Sequence, residues 1–286
     1  MAIIGGSIFV FICVFGSFAF HGGNLAVLWQ PIELVIIFGA ALGGVIISNS
    51  PAQMKIIMHG ITHSLSSKHK TKQEFQDLLL LLYELVKTAK GNILALEAHV
   101  EKPESSDIFK RYPSVLSNHH TVQFIADTLK VQISSPVSPF DLEELMDADL
   151  TSTHAEEHHA VVIVEKVADA LPGLGIVAAV LGVVYTMGKL TEGKEVIGNS
   201  VAAALVGTFL GVLGSYGFAH PVADKIAFDA ADEGKYAEVA KAALLAFAKD
   251  CSPKVCVEFA RRTIPPTNRP TFEEIDTATT NAGKAA

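Results

Sequence analysis

Few side chains in this sequence are grouped in the way that chemistry requires. His119-His120 and His158-His159 are adjacent pairs, and Cys251 and Cys256 form a C-x4-C pair. A structural zinc site needs four ligands, usually from two such halves. None of these pairs has a matching second half, so they read as surface histidines and reduced thiols, and no metal or other cofactor is expected. No nucleophile elbow, phosphate-binding loop or catalytic carboxylate pair occurs, so the chain does not read as an enzyme. What remains is a set of hydroxyls among apolar residues: Tyr185, Thr186, Thr208 and Ser215. These could line a path for an ion. Their commoner fate is a hydrogen bond to the carbonyl one turn earlier.

The elements that carry these hydroxyls are apolar runs. Four stretches lack Asp, Glu, Lys and Arg: Met1–Ile32, Leu34–Met54, Ala170–Gly188 and Val196–Ala223. Each can cover a hydrocarbon core, which takes about 20 apolar residues. The first carries Cys13 and lacks the basic start of a cleaved signal, so it reads as a retained span. None of the spans has an internal carboxylate; Glu33 lies at the outer end of span two and Asp169 at the inner end of span three. Ion-translocating proteins nearly always place an ionisable group in the membrane. Either this chain moves no ion or a partner supplies the carboxylate.

Basic residues orient the spans. None precedes Lys55, eleven fall from Lys55 to Lys166, and nine from Lys225 to Lys284. Basic residues flanking spans stay in the cytoplasm, so the connector and both termini are expected there. The two short loops then face outward, the second carrying Lys189, Glu192, Lys194 and Glu195. Trp29, just before Pro31, suits an outer interfacial position. The formal net charge of −8 mixes both signs, and no basic stripe suggests nucleic acid.

Within the spans, Gly39-x-x-x-Gly43 in span two and the series Ala203, Gly207, Gly211 and Ser215 in span four form small-residue faces. Helices in lipid associate through such close backbone contact. Pro172 opens span three and Pro221 closes span four. Pro172 falls in a stretch that reads helical from about His154, so it is either an interruption that frees a carbonyl or a plain helix start.

The connector reads as helices. Thr71-Lys-Gln-Glu74 is a capping box opening a helix that stops at Gly91. Asn92–Val100 and Val122–Ile133 follow, and Ser138-Pro139 starts another with Pro at its first position. After span four, Pro221–Ala248 reads as an amphipathic helix, and Pro265–Pro270 and Thr277–Ala286 as an extended tail. The fold class is therefore an all-α membrane protein with four transmembrane helices. A large helical cytoplasmic domain lies between spans two and three, and a cytoplasmic helix and tail follow span four. The expected divisions are residues 1–50, 51–170, 171–221 and 222–286.

In layout and in motifs the chain resembles the MotA family of flagellar motor stator subunits, within the MotA/TolQ/ExbB proton channels. The matching stretches run almost its whole length. They are Gln30-Pro31-Ile-Glu33-Leu-Val-Ile-Ile, Asp77-Leu-Leu-Leu-Leu-Leu-Tyr83, Ile108-Phe-Lys-Arg-Tyr112-Pro113 and Leu171-Pro-Gly-Leu-Gly-Ile-Val-Ala-Ala-Val-Leu-Gly182. Val206-Gly-Thr-Phe-Leu-Gly211 and Val257-Glu-Phe-Ala-Arg-Arg-Thr263 with Arg269-Pro270 complete the set.

The resemblance implies a homopentameric ring in the bacterial inner membrane around a MotB-type partner. That partner brings a membrane aspartate and a peptidoglycan-binding domain, which would supply the missing carboxylate. Pro172 and Pro221 match the family's functional prolines and Thr208 its pore-lining threonine. Ala179 stands where sodium-driven relatives have threonine, which favours H+ over Na+. Against the rotor protein FliG the family sets one basic and one acidic residue. Glu97 matches the acidic one, and Lys90, with Lys87 as the alternative, the basic one. Glu97 and Lys90 could also simply solvate a helix face. Two other functions stay open: an ExbB/TolQ-like energiser of outer-membrane processes and a non-conducting scaffold.

Overall fold

The computed structural model describes residues 2–66, 69–135, 137–188 and 194–285, and its regular elements are all helical. In chain order the α-helices are α1 (Ala2–Phe11), α2 (Ser17–Phe20), α3 (Leu25–Leu28), α4 (Pro31–Ser48), α5 (Pro51–Ser66), α6 (Lys72–Gly91), α7 (Ile93–Glu101), α8 (Asp107–Lys110), α9 (Pro113–Leu116) and α10 (His119–Ser134). They continue with α11 (Pro139–Met187), α12 (Lys194–Val212), α13 (His220–Ala248), α14 (Pro253–Thr263) and α15 (Phe272–Ala285). Wide π turns join α1 to α2 at Ile12–Gly16 and α12 to α13 at Leu213–Ala219. Four stretches are long and apolar enough to span a membrane: Ile3–Phe20, Leu25–Ser48, and the apolar parts of Pro139–Met187 and Ser200–Ala248. The chain is thus an all-α membrane protein with four spans.

The chain divides into two compact units: Met1–Ser67 with Glu156–Asp229, and Lys68–Ala155 with Ala230–Ala286.

The first unit holds the spans. Gly22, at φ +83°, turns the chain after α2 in the left-handed region that glycine adopts without steric cost. Asn24 then caps α3 by accepting from the Ala26 amide. Pro31 opens α4, where its missing N–H would go unpaired anyway. Span two turns Glu33, Ile37 and Ala41 inward, one turn apart. Ile37 and Ala41 form a small apolar core with Leu171 and Ala178 of span three. Many other apolar side chains of the spans, such as Phe9, Ile47 and Val184, face outward, as lipid or neighbouring helices permit. In α5, Ser50 and Gln53 exchange hydrogen bonds as a capping box.

The second unit is built on α6. The Thr71–Glu74 capping box forms as its spacing requires, and the run Leu78–Val86 is buried almost throughout. Burial on all sides suits a central helix rather than a surface one. Helices α7, α14 and α15 pack on it. Glu84 is 8 % exposed and satisfied on two sides: Tyr112 donates to its Oε1 at 2.7 Å and Arg111 pairs with its Oε2 at 2.8 Å. The Arg111-Tyr112 dipeptide thus closes α8 and α9 over a buried acid. Burial first, then the Glu84 carboxylate, pushes the Tyr112 phenol well above its ordinary pKa.

Three local expectations differ from the structure. Pro172 neither starts nor interrupts a helix, because α11 runs unbroken through it. Pro221 does not close span four; the chain stays helical through it, with the π turn Leu213–Ala219 immediately before. A π turn is one way a helix absorbs proline's ring and missing donor. The segment after Pro270 is not an extended tail but α15. Thr271 and Glu274 cap it reciprocally, at 2.7 Å and 3.2 Å.

Candidate functional site

Spans three and four cross through glycine. A Cβ built on Gly175 would lie 2.9 Å from the Gly207 carbonyl oxygen and 3.3 Å from the Thr208 Cα. One on Gly207 would lie 3.2 Å from the Ala179 amide nitrogen, and one on Gly182 would lie 2.9 Å from the Ala204 Cβ. Real Cβ atoms essentially never come within 3.0 Å of another heavy atom and seldom within 3.4 Å, so glycine is what lets the two backbones touch here. Gly207 and Gly211 sit in this crossing; Ala203 is only half-buried, and Ala204, 1 % exposed, makes the contact. Gly39 and Gly43 of span two instead face open space.

Ala179 and Thr208 both border the crossing, Ala179 against Gly207 and Thr208 against Gly175, and both are half-buried. Pro172 is half-buried and Pro221 exposed. Beside the two prolines, His220 Nε2 lies 3.4 Å from Asp169 Oδ1, and the His220 ring stacks on Tyr216 with centroids 5.4 Å apart. This pair links the ends of spans three and four, and no local sequence signal pointed to it. The hydroxyls have different fates. Thr186, fully buried, donates to the Gly182 carbonyl at 2.8 Å. Ser215, also fully buried, has no hydrogen-bond partner for its Oγ.

Glu33 is 9 % exposed, with Oε2 buried and unpartnered, in the first turn of α4. The positive end of the helix dipole favours a carboxylate there. Its position at the end of span two was legible, but its burial was not. The turn with Lys189 and Glu192 lies outside the described residues.

In the second unit, Lys90 ends α6 and Glu97 is exposed on α7. Lys87 is half-buried. Lys90 donates to the Asp250 backbone carbonyl at 3.0 Å and pairs with the Asp250 carboxylate. Asp250, at φ +62°, is the one non-glycine residue with positive φ among the described residues. The hydrogen bond from Lys90 holds its carboxyl below the usual range. Beneath this corner, burial pushes the Cys256 thiol up to about 11, so it stays protonated and inert.

The Val257–Thr263 stretch folds into a clasp. Glu258 accepts from Arg261 at 2.7 Å and 2.9 Å and from Arg262 at 2.7 Å. Arg261 reaches the Pro270 carbonyl at 3.0 Å, and Arg269 holds those of Ile264 and Arg262 at 2.9 Å and 3.0 Å. The paired arginines, Arg261 first, hold the Glu258 carboxyl down at about 2.

The chain matches known proteins along most of its length. The family described as motility protein A N-terminal matches residues 3–92, and the MotA/TolQ/ExbB proton channel family matches residues 117–238. Motility protein A of Escherichia coli K12 is 36 % identical over 277 residues, covering 96 % of this chain and 94 % of that protein. Chemotaxis protein LafT of Vibrio parahaemolyticus is 33 % identical over 272 residues, covering 95 % of each. Among solved structures, C. jejuni MotAB superposes with a TM-score of 0.79 at 16 % identity, covering 95 % of this chain and 98 % of that one. The Bacillus subtilis MotAB stator complex gives 0.76 at 21 %, covering 94 % and 98 %. These two likenesses establish the fold. The relatives matched over nearly their whole length are named motility protein A and chemotaxis protein LafT, so the transport-energiser alternative is not favoured. The chain is not an enzyme; it is a four-span membrane subunit that belongs to the MotA/TolQ/ExbB proton channel family, on its motility protein A branch.

Proposed function

We propose that this chain is the ring-forming subunit of a flagellar stator, a multi-pass inner-membrane protein with both termini in the cytoplasm. It couples proton flow to torque on the rotor protein FliG. The observation that carries the ion-path part is the glycine crossing of spans three and four. It places Thr208 against Gly175 and Ala179 against Gly207 while residues 170–188 and 196–223 hold no carboxylate. A path lined by hydroxyl and backbone alone needs an ionisable group from elsewhere. The membrane aspartate of a MotB-type partner fills that need.

Protonation of that aspartate would alter its contacts with spans three and four, where Pro172 and Pro221 act as the switch, and a pentameric ring would step. Ala179 leaves no hydroxyl at that position, which supports H+ over Na+ as the coupling ion. The open faces at Gly39 and Gly43 suit packing against a neighbouring helix of the assembly. In the cytoplasmic unit, Glu97 and Lys90 face the rotor as an opposite-charge pair, with Lys87 near the same end of α6. Complementary charge steers such a contact.

The test is swimming speed in a strain lacking its own stator, supplied with this chain and its partner, while sodium and the proton gradient are varied separately. Speed that falls with a protonophore and ignores sodium supports proton drive. Speed that follows sodium removes the Ala179 argument, and no motility from an assembled complex removes the stator reading.

A further inference from the structure

Ser215 stands apart from the other buried hydroxyls of the spans. Thr186 spends its proton on the carbonyl four residues back, the usual arrangement in an apolar helix. Ser215 is fully buried within the single chain, yet its Oγ is unpartnered. It lies inside the π turn Leu213–Ala219, where the backbone is widened. A buried hydroxyl without a partner costs stability, and alanine would fill the same space without that cost. Such groups persist where they serve a role or hold water.

Its surroundings indicate the role. Gly207 lies against Gly175, and Gly211 against Leu171. The pairing runs antiparallel, so Ser215, one turn beyond Gly211, falls toward the part of span three that precedes Leu171 and carries Ala168. Ala168 is fully buried, and Pro172, four residues on, has no N–H to give its carbonyl. A hydroxyl and a carbonyl, each lacking its usual helical partner, therefore lie toward the same end of spans three and four. Thr208 lies two turns to one side, and the Asp169–His220 pair lies just beyond on the other.

We propose that Ser215 is a relay hydroxyl of the proton path, ordering water against the Ala168 carbonyl between the Thr208 crossing and the Asp169–His220 pair. This rests on the reading that protons pass along spans three and four. In each transfer the Ser215 oxygen accepts a proton from a hydronium through a lone pair. It releases its own proton to the next water, so the side chain is unchanged and charge moves one step. Two to four polar partners are what a buried water needs; Ser215 and the Ala168 carbonyl provide two.

The test uses the full complex of this chain with a MotB-type partner. Two quantities are measured for Ser215→Ala: the melting temperature of the purified complex and the rate of cytoplasmic acidification on co-expression. A structural hydroxyl and a relay differ in which quantity moves. The relay predicts a melting temperature within about 4 °C of the parent, because the water that Ser215 orders already satisfies its hydroxyl and little net stability rests on it. It also predicts acidification slowed about fivefold, the effect of one lost hydrogen bond of ordinary strength. Unchanged acidification, at any melting temperature, overturns the proposal. A melting temperature lowered by more than about 4 °C also overturns it, since the hydroxyl would then be structural. Thr208→Val separates this inference from the reading beneath it. If neither variant slows acidification, the path itself lies elsewhere; if only Thr208→Val does, the path stands and Ser215 is not on it.

Discussion

Gly211 meets Leu171 backbone to backbone: a Cβ on Gly211 would lie 2.6 Å from the Leu171 carbonyl oxygen and 2.8 Å from the Gly175 Cα. The atoms it would strike are main chain, so no rotamer change can make room. Gly211→Val should separate spans three and four. Overpacking typically costs about 1–3 kcal/mol, and a rigid backbone neighbour puts this site at the upper end. Gly207→Leu should act the same way. Size-exclusion profile and melting temperature of the complex provide the check; a normally assembled, equally stable complex would contradict the crossing.

Pro172 sits in a helix that is already continuous, so restoring an N–H there should help the fold. Proline in a helix interior costs about 3 kcal/mol relative to alanine. Pro172→Ala is therefore expected to assemble, to resist heat or denaturant at least as well as the parent, and to lose motility. Retained swimming would show that the proline is only a structural relic.

Glu97 is exposed on α7 and makes no ion pair among the described residues, whereas Lys90 is already paired with Asp250. Exposed pairs are worth about 0–1 kcal/mol, so exchanging Asp250 for a rotor acid is cheap. Glu97→Lys should reduce swimming severalfold, and an opposite change on the rotor should partly restore it. Swimming speed on soft agar that ignores the reversal would remove Glu97 from the contact.

Glu258 gives a pH dependence of definite sign. Its carboxyl is held down at about 2, against an ordinary value of 4.5. A lowered folded-state pKa stabilises above the unfolded value and loses that contribution as pH falls. The parent complex should lose stability between about pH 4.5 and pH 2. In Glu258→Gln this part of the slope should be absent. Denaturant midpoints across that range, compared between the two proteins, measure the difference.

Much of this was legible in the sequence because the signals were local. Charge-free runs located the spans, and Thr71 with Glu74 marked the start of α6. Thr271 and Glu274 carry the same capping signal, but the low hydrophobicity around them favoured an extended reading over α15. The proline expectations failed because a local breaker was outweighed by the packing of spans three and four, which keeps both helices continuous. A strict four-residue stripe also drifts around a 3.6-residue helix, which is why Ala204 rather than Ala203 joins Gly207 at the crossing. Other features are long-range and leave no local trace: the burial of Glu33, the Asp169–His220 contact, and the hold of Asp250 on Lys90 from 160 residues away.

The π turn Leu213–Ala219 also sets rotational phase. Such a turn accommodates one residue more than the α-helix around it, so everything beyond it is rotated by about 100° relative to an unbroken helix. The face that carries Gly207 and Gly211 is thereby decoupled from the face that carries His220 and Pro221. Straightening that turn with every residue kept would swing His220 away from Asp169 by about 100°, whereas removing a single residue between Leu213 and Ala219 as the helix straightens would leave His220 on its bearing. In this span the angular bearing of the His220 end is encoded by residue count and turn type together, so a one-residue deletion would remove the widened backbone and keep the direction.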